Sequence, residues 1–172
     1  MPTTRIFLTG YMGAGKTTTG KIVADVMGYT FIDLDEEIEH LQGCRLSEIF
    51  ETRGESFFRH LERDTLMGTA ASRRIVVATG GGCPAYENNM QWMNENGTTI
   101  YLRCHPGVLF HRLAPEKKAR PLLSRLSDIE LMGYISTHLE ERVPAYEKAM
   151  IKVNAEEAPE QVAQAIMEKL KD

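Results

Sequence analysis

Five short apolar runs punctuate the chain, at residues 6–8, 31–32, 75–78, 100–102 and 151–153. All are rich in β-branched or aromatic residues and read as buried strands. Between them apolar residues recur at helical spacing. Ile22, Val23, Val26 and Met27 form one stripe, Phe57, Phe58, Leu61 and Thr65 a second. Val162, Ala163, Ile166 and Leu170 form a third, after Pro159, which suits a first helical position. Strand and helix alternate along the whole length, which predicts an α/β fold: a five-stranded parallel sheet with helices on both faces, in three layers. No internal repeat or linker divides the chain, so residues 1–172 are read as one domain.

Two stretches break the rhythm. About forty residues separate the second and third runs, more than a single crossover helix needs. Helical spacing there predicts a short helix over 35–41, another near 47–52 and a longer one from Glu55, a small helical subdomain spanning about 33–62. The second stretch, 112–126, carries Pro115 and Pro121 and five basic residues, Arg112, Lys117, Lys118, Arg120 and Arg125, against Glu116 alone. It reads either as a solvated loop or as a cationic lid over an anionic ligand.

Charge narrows the classes. With 20 basic and 24 acidic side chains the formal net charge is −4, which argues against a broad nucleic-acid or anionic-membrane surface. No apolar run approaches the ~18 residues of a membrane span. The first residues lack the pattern of a cleavable leader, and Cys44, Cys83 and Cys104 form no paired motif. These features predict a cytoplasmic protein that contacts neither nucleic acid nor membrane.

Directly after the first strand comes Gly10-Tyr11-Met12-Gly13-Ala14-Gly15-Lys16-Thr17-Thr18, which matches G-x-x-x-x-G-K-[ST]. Glycines let the backbone wrap closely and turn its N–H groups onto phosphate oxygens. Lys16 brings positive charge to the β- and γ-phosphates, the Thr17 hydroxyl can ligate Mg²⁺, and the helix starting here adds its dipole. An N-K-x-D guanine-reading motif is absent, and small size with extra helices suits a small-molecule kinase.

Strand C-termini of a parallel sheet share the edge that carries such a loop. Asp33 and Asp35, ending the second strand, therefore emerge near the phosphates, one suited to Mg²⁺ and the other to an acceptor hydroxyl. Asp35 is equally placed to cap the next helix, with Glu36 and Glu37 in its first turn. Arg59 and Glu62 stand three apart on a helix, either as a surface ion pair or with Glu62 holding Arg59 toward a carboxylate. Phe50, Phe57 and Phe58 read as core. Gly80, Gly81 and Gly82, ending the third strand, suit a close approach of backbone to ligand or a flexible turn. That strand lacks a terminal Asp, which leaves Asp33 as the metal-side carboxylate. Arg142 reads from spacing alone as a partner of His138 or Tyr146 on a solvated helix face, and Cys83 as a small buried residue.

The ordered set of the phosphate loop at 10–17, D-x-D at 33–35, G-E-x-x-F-R-x-x-E at 54–62, G-G-G at 80–82, R-P-L-L at 120–123 and E-R-x-x-x-Y at 141–146 resembles the shikimate kinases. The resemblance implies a P-loop fold of the nucleoside-monophosphate-kinase type, usually monomeric. It also implies transfer of the γ-phosphoryl of ATP to the 3-hydroxyl of shikimate, with Mg²⁺. On that resemblance Asp35 is the candidate base, and Arg59 and Arg142 take the shikimate carboxylate beside backbone at Gly80, Gly81 and Gly82. Lys16 and Arg120 neutralise the transferring phosphoryl, Thr17 and Asp33 serve the metal, and residues 13–18 cradle the phosphates. Arg112 and Pro159 match the residues that enclose adenine. A kinase of another sugar acid such as gluconate shares the loop, lid and arginines. A regulatory ATP-binding module shares the loop but needs no acceptor-side carboxylate.

Overall fold

The computed structural model describes residues 4–120 and 122–171. The apolar runs become strands β1 (Arg5–Thr9), β2 (Thr30–Asp33), β3 (Ile75–Ala78), β4 (Thr98–Arg103) and β5 (Ile151–Asn154). They form one sheet in the order β2-β3-β1-β4-β5, every neighbouring pair parallel. Chain order reverses about β1, and such a switch point opens a crevice beyond the strand C-termini. Register fixes what emerges there: Asp33 lies opposite Ala78, and Ala78 opposite Leu8. The phosphate loop, the chain after Asp33 and the glycine run thus leave one edge side by side.

Helix α1 (Lys16–Met27) starts from Gly15 in the left-handed region and ends at Gly28, also left-handed. Its inner face carries Val23 and Ala24, whereas Val26 is 64% exposed and drops out of the predicted stripe. Helix α2 (Leu34–Gln42) begins one residue earlier than its apolar spacing predicts. Asp33, not Asp35, is the N-cap, its carboxylate accepting from the N–H groups of Asp35 (3.0 Å) and Glu36 (3.4 Å). Helix α3 (Leu46–Gly68) is interrupted at Gly54, with φ 81° and ψ 172°, between the two helices predicted there. Its buried residues Phe58, Glu62 and Leu66 place a carboxylate in the stripe that Leu61 and Thr65 were expected to continue. Ile38, Ile49 and Phe58 form a small core apart from the main one. Phe50 is 38% exposed, its ring against Phe58 with centroids 4.6 Å apart, so it caps this cluster from outside.

Helices α4 (Asn89–Asn96), α5 (Pro106–Leu113), α6 (Asp128–Tyr146) and α7 (Pro159–Lys169) complete the layers. Pro159 is the first residue of α7, as its fixed φ favours. Ser127 and Glu130 form a reciprocal capping box at the start of α6. The stretch 112–126 is more structured than its composition suggests: Arg112 closes α5, Ala114–Ala119 form a 3₁₀ helix, and Leu123 is buried. Pro121 lies outside the described residues. Lys117 pairs with Asp128 at 2.6 Å and Arg120 with Glu116 at 3.3 Å, so the basic residues do not act as one face.

Candidate active site

The phosphate loop closes on itself through Lys16, whose ammonium donates to the carbonyls of Gly10 (2.8 Å) and Tyr11 (3.0 Å). Gly13 and Gly15 hold φ near 83° and 91°, a conformation that a side chain strains. Burial lowers the Lys16 pKa to about 8, against the pull of Asp35 and then Asp33. Thr17 donates its hydroxyl to Asp33 Oδ2 at 2.7 Å, so the cap of α2 also meets the first turn of α1. A cavity of about 510 Å³ opens over this loop. It is lined by residues 13–18, by Arg112, Arg120 and Pro159, and by Asp33, Asp35, Gly80 and Gly81.

Asp35 stands out in this lining because its Oδ1 is buried and has no hydrogen-bond partner among the described residues. Burial, then the neighbouring Asp33 charge, raises its pKa, with Lys16 opposing. A buried carboxylate oxygen left without a donor is costly unless something outside the protein supplies one. Behind it Arg59 donates to Glu62 at 2.8 Å, and Glu62 is 1% exposed, so the pair is interior rather than a surface pair. Burial lifts the Glu62 pKa to about 7, with Arg59 pulling it down.

The three glycines after β3 are explained by these charged groups. A Cβ on Gly80 would meet Glu62 Oε2 at 2.6 Å, and one on Gly81 would meet an Arg142 nitrogen at 3.1 Å. One on Gly82 would overlap the Arg59 guanidinium. None of the three has a positive φ. Their value is the missing side chain rather than conformational freedom. Arg142 therefore does not lie on a solvated face. It packs beside Gly81 and over the Tyr11 ring, 5.7 Å from the centroid, near buried Tyr146, whose hydroxyl donates to the Gly81 carbonyl at 2.6 Å.

The sequence-predicted residues Lys16, Thr17, Asp33, Asp35, Gly80, Gly81, Arg112, Arg120 and Pro159 share one cavity, with Arg142 packed against Gly81 and Arg59 against the adjoining Gly82. Cys83 is fully buried, as expected. Sequence spacing did not reveal Tyr11 and His138, which meet at 3.1 Å although 127 positions apart.

The family model described as shikimate kinase matches residues 12–171 of this chain. The chain belongs to the shikimate kinase family. A shikimate kinase of Bacteroides thetaiotaomicron is 48% identical over 153 residues, covering 89% of this chain and 87% of that protein. The crystal structure of a shikimate kinase from that organism superposes with a TM-score of 0.94 at 44% identity, covering 99% of both chains. The shikimate kinase of Acinetobacter baumannii, solved in complex with shikimate, superposes at 0.89 with 32% identity, covering 98% of this chain and 93% of that one. Membership in the shikimate kinases makes the protein an ATP-dependent kinase with a P-loop fold.

Proposed function

We propose that the protein transfers the γ-phosphoryl group of ATP to the 3-hydroxyl of shikimate, giving shikimate 3-phosphate and ADP. The observation that carries this reading is a single cavity lined both by the phosphate loop and by Asp35, whose buried Oδ1 has no partner among the described residues. Phosphoryl transfer asks mainly for alignment and charge neutralisation, and the two groups of lining residues supply both. Residues 13–18 cradle the phosphates, while Arg112 and Pro159 enclose the adenine. Lys16 and Arg120 neutralise charge on the transferring group. Arg120 fits that task because it lines the cavity and its buried Nε has no partner among the described residues. Asp35 accepts the proton of the 3-hydroxyl, and its raised pKa suits a base that must take up a proton and release it. Arg59, held by Glu62, and Arg142 receive the carboxylate beside Gly80, Gly81 and Gly82.

A hydroxyl and a carboxylate in contact, Thr17 and Asp33, form an all-oxygen donor set that fits Mg²⁺ together with phosphate oxygens and water. When bound there, the ion neutralises the β- and γ-phosphate oxygens. We read residues 33–62 as the acceptor-binding part and 112–126 as a lid, within one domain. We read the enzyme as a monomer, as the resemblance to the family implies. We place it in the cytoplasm, where its three free cysteines suit a reducing milieu; among the described residues no helix is long and apolar enough to cross a membrane.

The test is acceptor-dependent ADP release from Mg·ATP with shikimate, with gluconate and with no acceptor. Release with shikimate alone is expected. Release with gluconate instead moves the acceptor site to another sugar acid, and binding of ATP without acceptor-dependent release makes the protein a regulatory module.

A further inference from the structure

Helix α6 carries Tyr134, His138, Arg142 and Tyr146, each four residues on from the last, and brings His138 and Arg142 to Tyr11 of the phosphate loop. Residues at that spacing stack along one side of a helix. Two of them have evident tasks, Arg142 beside Gly81 and Tyr146 on the Gly81 carbonyl. Tyr134 and His138 do not touch the transfer chemistry as derived above. Yet His138 is tightly placed. Its Nδ1 lies 3.1 Å from the Tyr11 hydroxyl, and its ring meets the Tyr11 ring edge-on, centroids 5.7 Å apart and planes at 86°. On its other side Tyr134 lies 4.9 Å away at 58°. Tyr11, 1% exposed, belongs to the phosphate loop and offers its face to the Arg142 guanidinium.

We propose that His138 is a positioning residue: by holding the Tyr11 hydroxyl it fixes the aromatic face on which Arg142 rests, and so aims Arg142 at the acceptor carboxylate. The proposal rests on the reading that Arg142 receives that carboxylate. An arginine side chain has several rotatable bonds, and a cation held over an aromatic face loses much of that freedom before the ligand arrives. Tyr11 can serve as such a face only if its own ring is fixed, and the hydroxyl is the far end of that ring.

The protonation states agree with this arrangement. Burial and then the Arg142 charge push the His138 pKa down, against Glu141 on α6 and Glu55 on α3, with Arg59 adding to the downward push. Burial pushes the Tyr11 hydroxyl up, with Tyr134 adding to it and Arg142 opposing. A neutral imidazole and a retained phenolic proton let Tyr11 donate to Nδ1. Neither residue brings a second positive charge beside Arg142. Glutamine at position 138 keeps an acceptor within reach of the hydroxyl, whereas leucine keeps bulk and loses the acceptor.

The experiment is steady-state kinetics of His138→Leu, His138→Gln, Tyr11→Phe, Arg142→Ala and the double variant His138→Leu/Arg142→Ala, with KM for shikimate and for ATP and kcat determined separately. His138→Leu and Tyr11→Phe are expected to raise the shikimate KM about three- to tenfold. The ATP KM and kcat move less than about twofold, and His138→Gln recovers most of the loss. In the Arg142→Ala background, His138→Leu adds nothing, because the residue it acts through is gone. Equal losses in ATP KM overturn the proposal, since they mean that the pair only packs the phosphate loop. Additive losses in the double variant, or an unchanged shikimate KM in Tyr11→Phe, overturn it as well. Tyr11→Phe removes a single oxygen and decides the matter if His138→Leu unfolds. If Arg142→Ala leaves the shikimate KM unchanged, the carboxylate reading fails first and this proposal with it. If Arg142→Ala raises that KM and the His138 and Tyr11 variants do not, this proposal alone fails.

Discussion

The Cα of Gly82 lies against the guanidinium of Arg59, leaving no room for even a methyl group between them. Arg59 is also pinned by Glu62 at 2.8 Å, so it cannot retreat without breaking a buried ion pair. Gly82→Ala therefore displaces the guanidinium rather than the backbone. The shikimate KM is expected to rise about ten- to a hundredfold, the scale of lost charge-assisted hydrogen bonds. The ATP KM should stay within about twofold, because the phosphate loop is not touched. Unchanged shikimate saturation in Gly82→Ala would falsify the placement of Arg59 at the carboxylate.

Asp35→Asn keeps the shape of the side chain and removes its capacity to accept a proton. The cap of α2 belongs to Asp33, so the helix is undisturbed. A fall in kcat of about 10²- to 10⁴-fold is expected, as for loss of a general base. Nucleotide affinity, read by titration with ADP, should be retained. An activity near that of the parent would reduce Asp35 to an orienting group.

Asp33 combines two structural tasks, capping α2 and accepting from Thr17. Asparagine caps as well as aspartate but carries no charge. Asp33→Asn should therefore melt at nearly the parent temperature while needing about tenfold more Mg²⁺ for half-maximal rate at fixed ATP. A large loss of thermal stability with an unchanged Mg²⁺ requirement would assign the residue to the helix alone.

With its pKa at about 8, Lys16 is half deprotonated at that pH when no ligand is bound. Phosphate oxygens favour the charged ammonium, so nucleotide binding draws a proton from solution. Calorimetry of ADP binding in buffers of different ionisation enthalpy should show uptake of about half a proton at pH 8 and close to none at pH 6.5. Zero uptake at both values would contradict the depressed pKa.

Glu62 titrates at about 7 when folded, against 4.5 as its ordinary value. Between those values the folded chain binds more protons than the unfolded one, so stability falls as pH rises through this window. The contribution is complete below 4.5 and lost above about 7. Glu62→Gln, which cannot ionise, should flatten the decline in melting temperature over that range. Parallel curves for parent and variant would place the ionisation elsewhere.

How far the sequence speaks for the fold depends on how much of each signal is local. Fully buried parallel strands are continuous apolar runs, and β3 has the bounds its run predicts. The other strands extend one or two residues further, through polar ends such as Arg5, Thr9 and Arg103 that the run itself cannot include. Asp33 and Asp35 are both plausible caps in isolation, and the contact of Thr17 with Asp33, which joins two helices, belongs to no local pattern. Most cavity residues were legible through motifs, Arg112, Pro159 and Arg142 by resemblance alone. The inward direction of Arg142 depends on α6 lying across Gly81, a relationship between segments sixty residues apart. The Tyr11–His138 contact has the same character, and so do the charged groups that occupy the space beside each glycine of the run.

Arg112 joins two segments far apart in the chain. Its guanidinium donates to the Gly13 carbonyl at 3.2 Å and to those of Ala155 (2.9 Å) and Glu156 (3.1 Å), tying the phosphate loop to the turn before α7. All three acceptors are backbone oxygens, which every amino acid provides. The tie thus does not depend on the chemical identity of the side chains at 155 and 156, although the burial of Ala155 limits size there. At Gly13 the restriction comes from φ and from Leu113, not from Arg112. The mutational fragility of this link is concentrated in one side chain, and lysine, with no planar fork, cannot replace it.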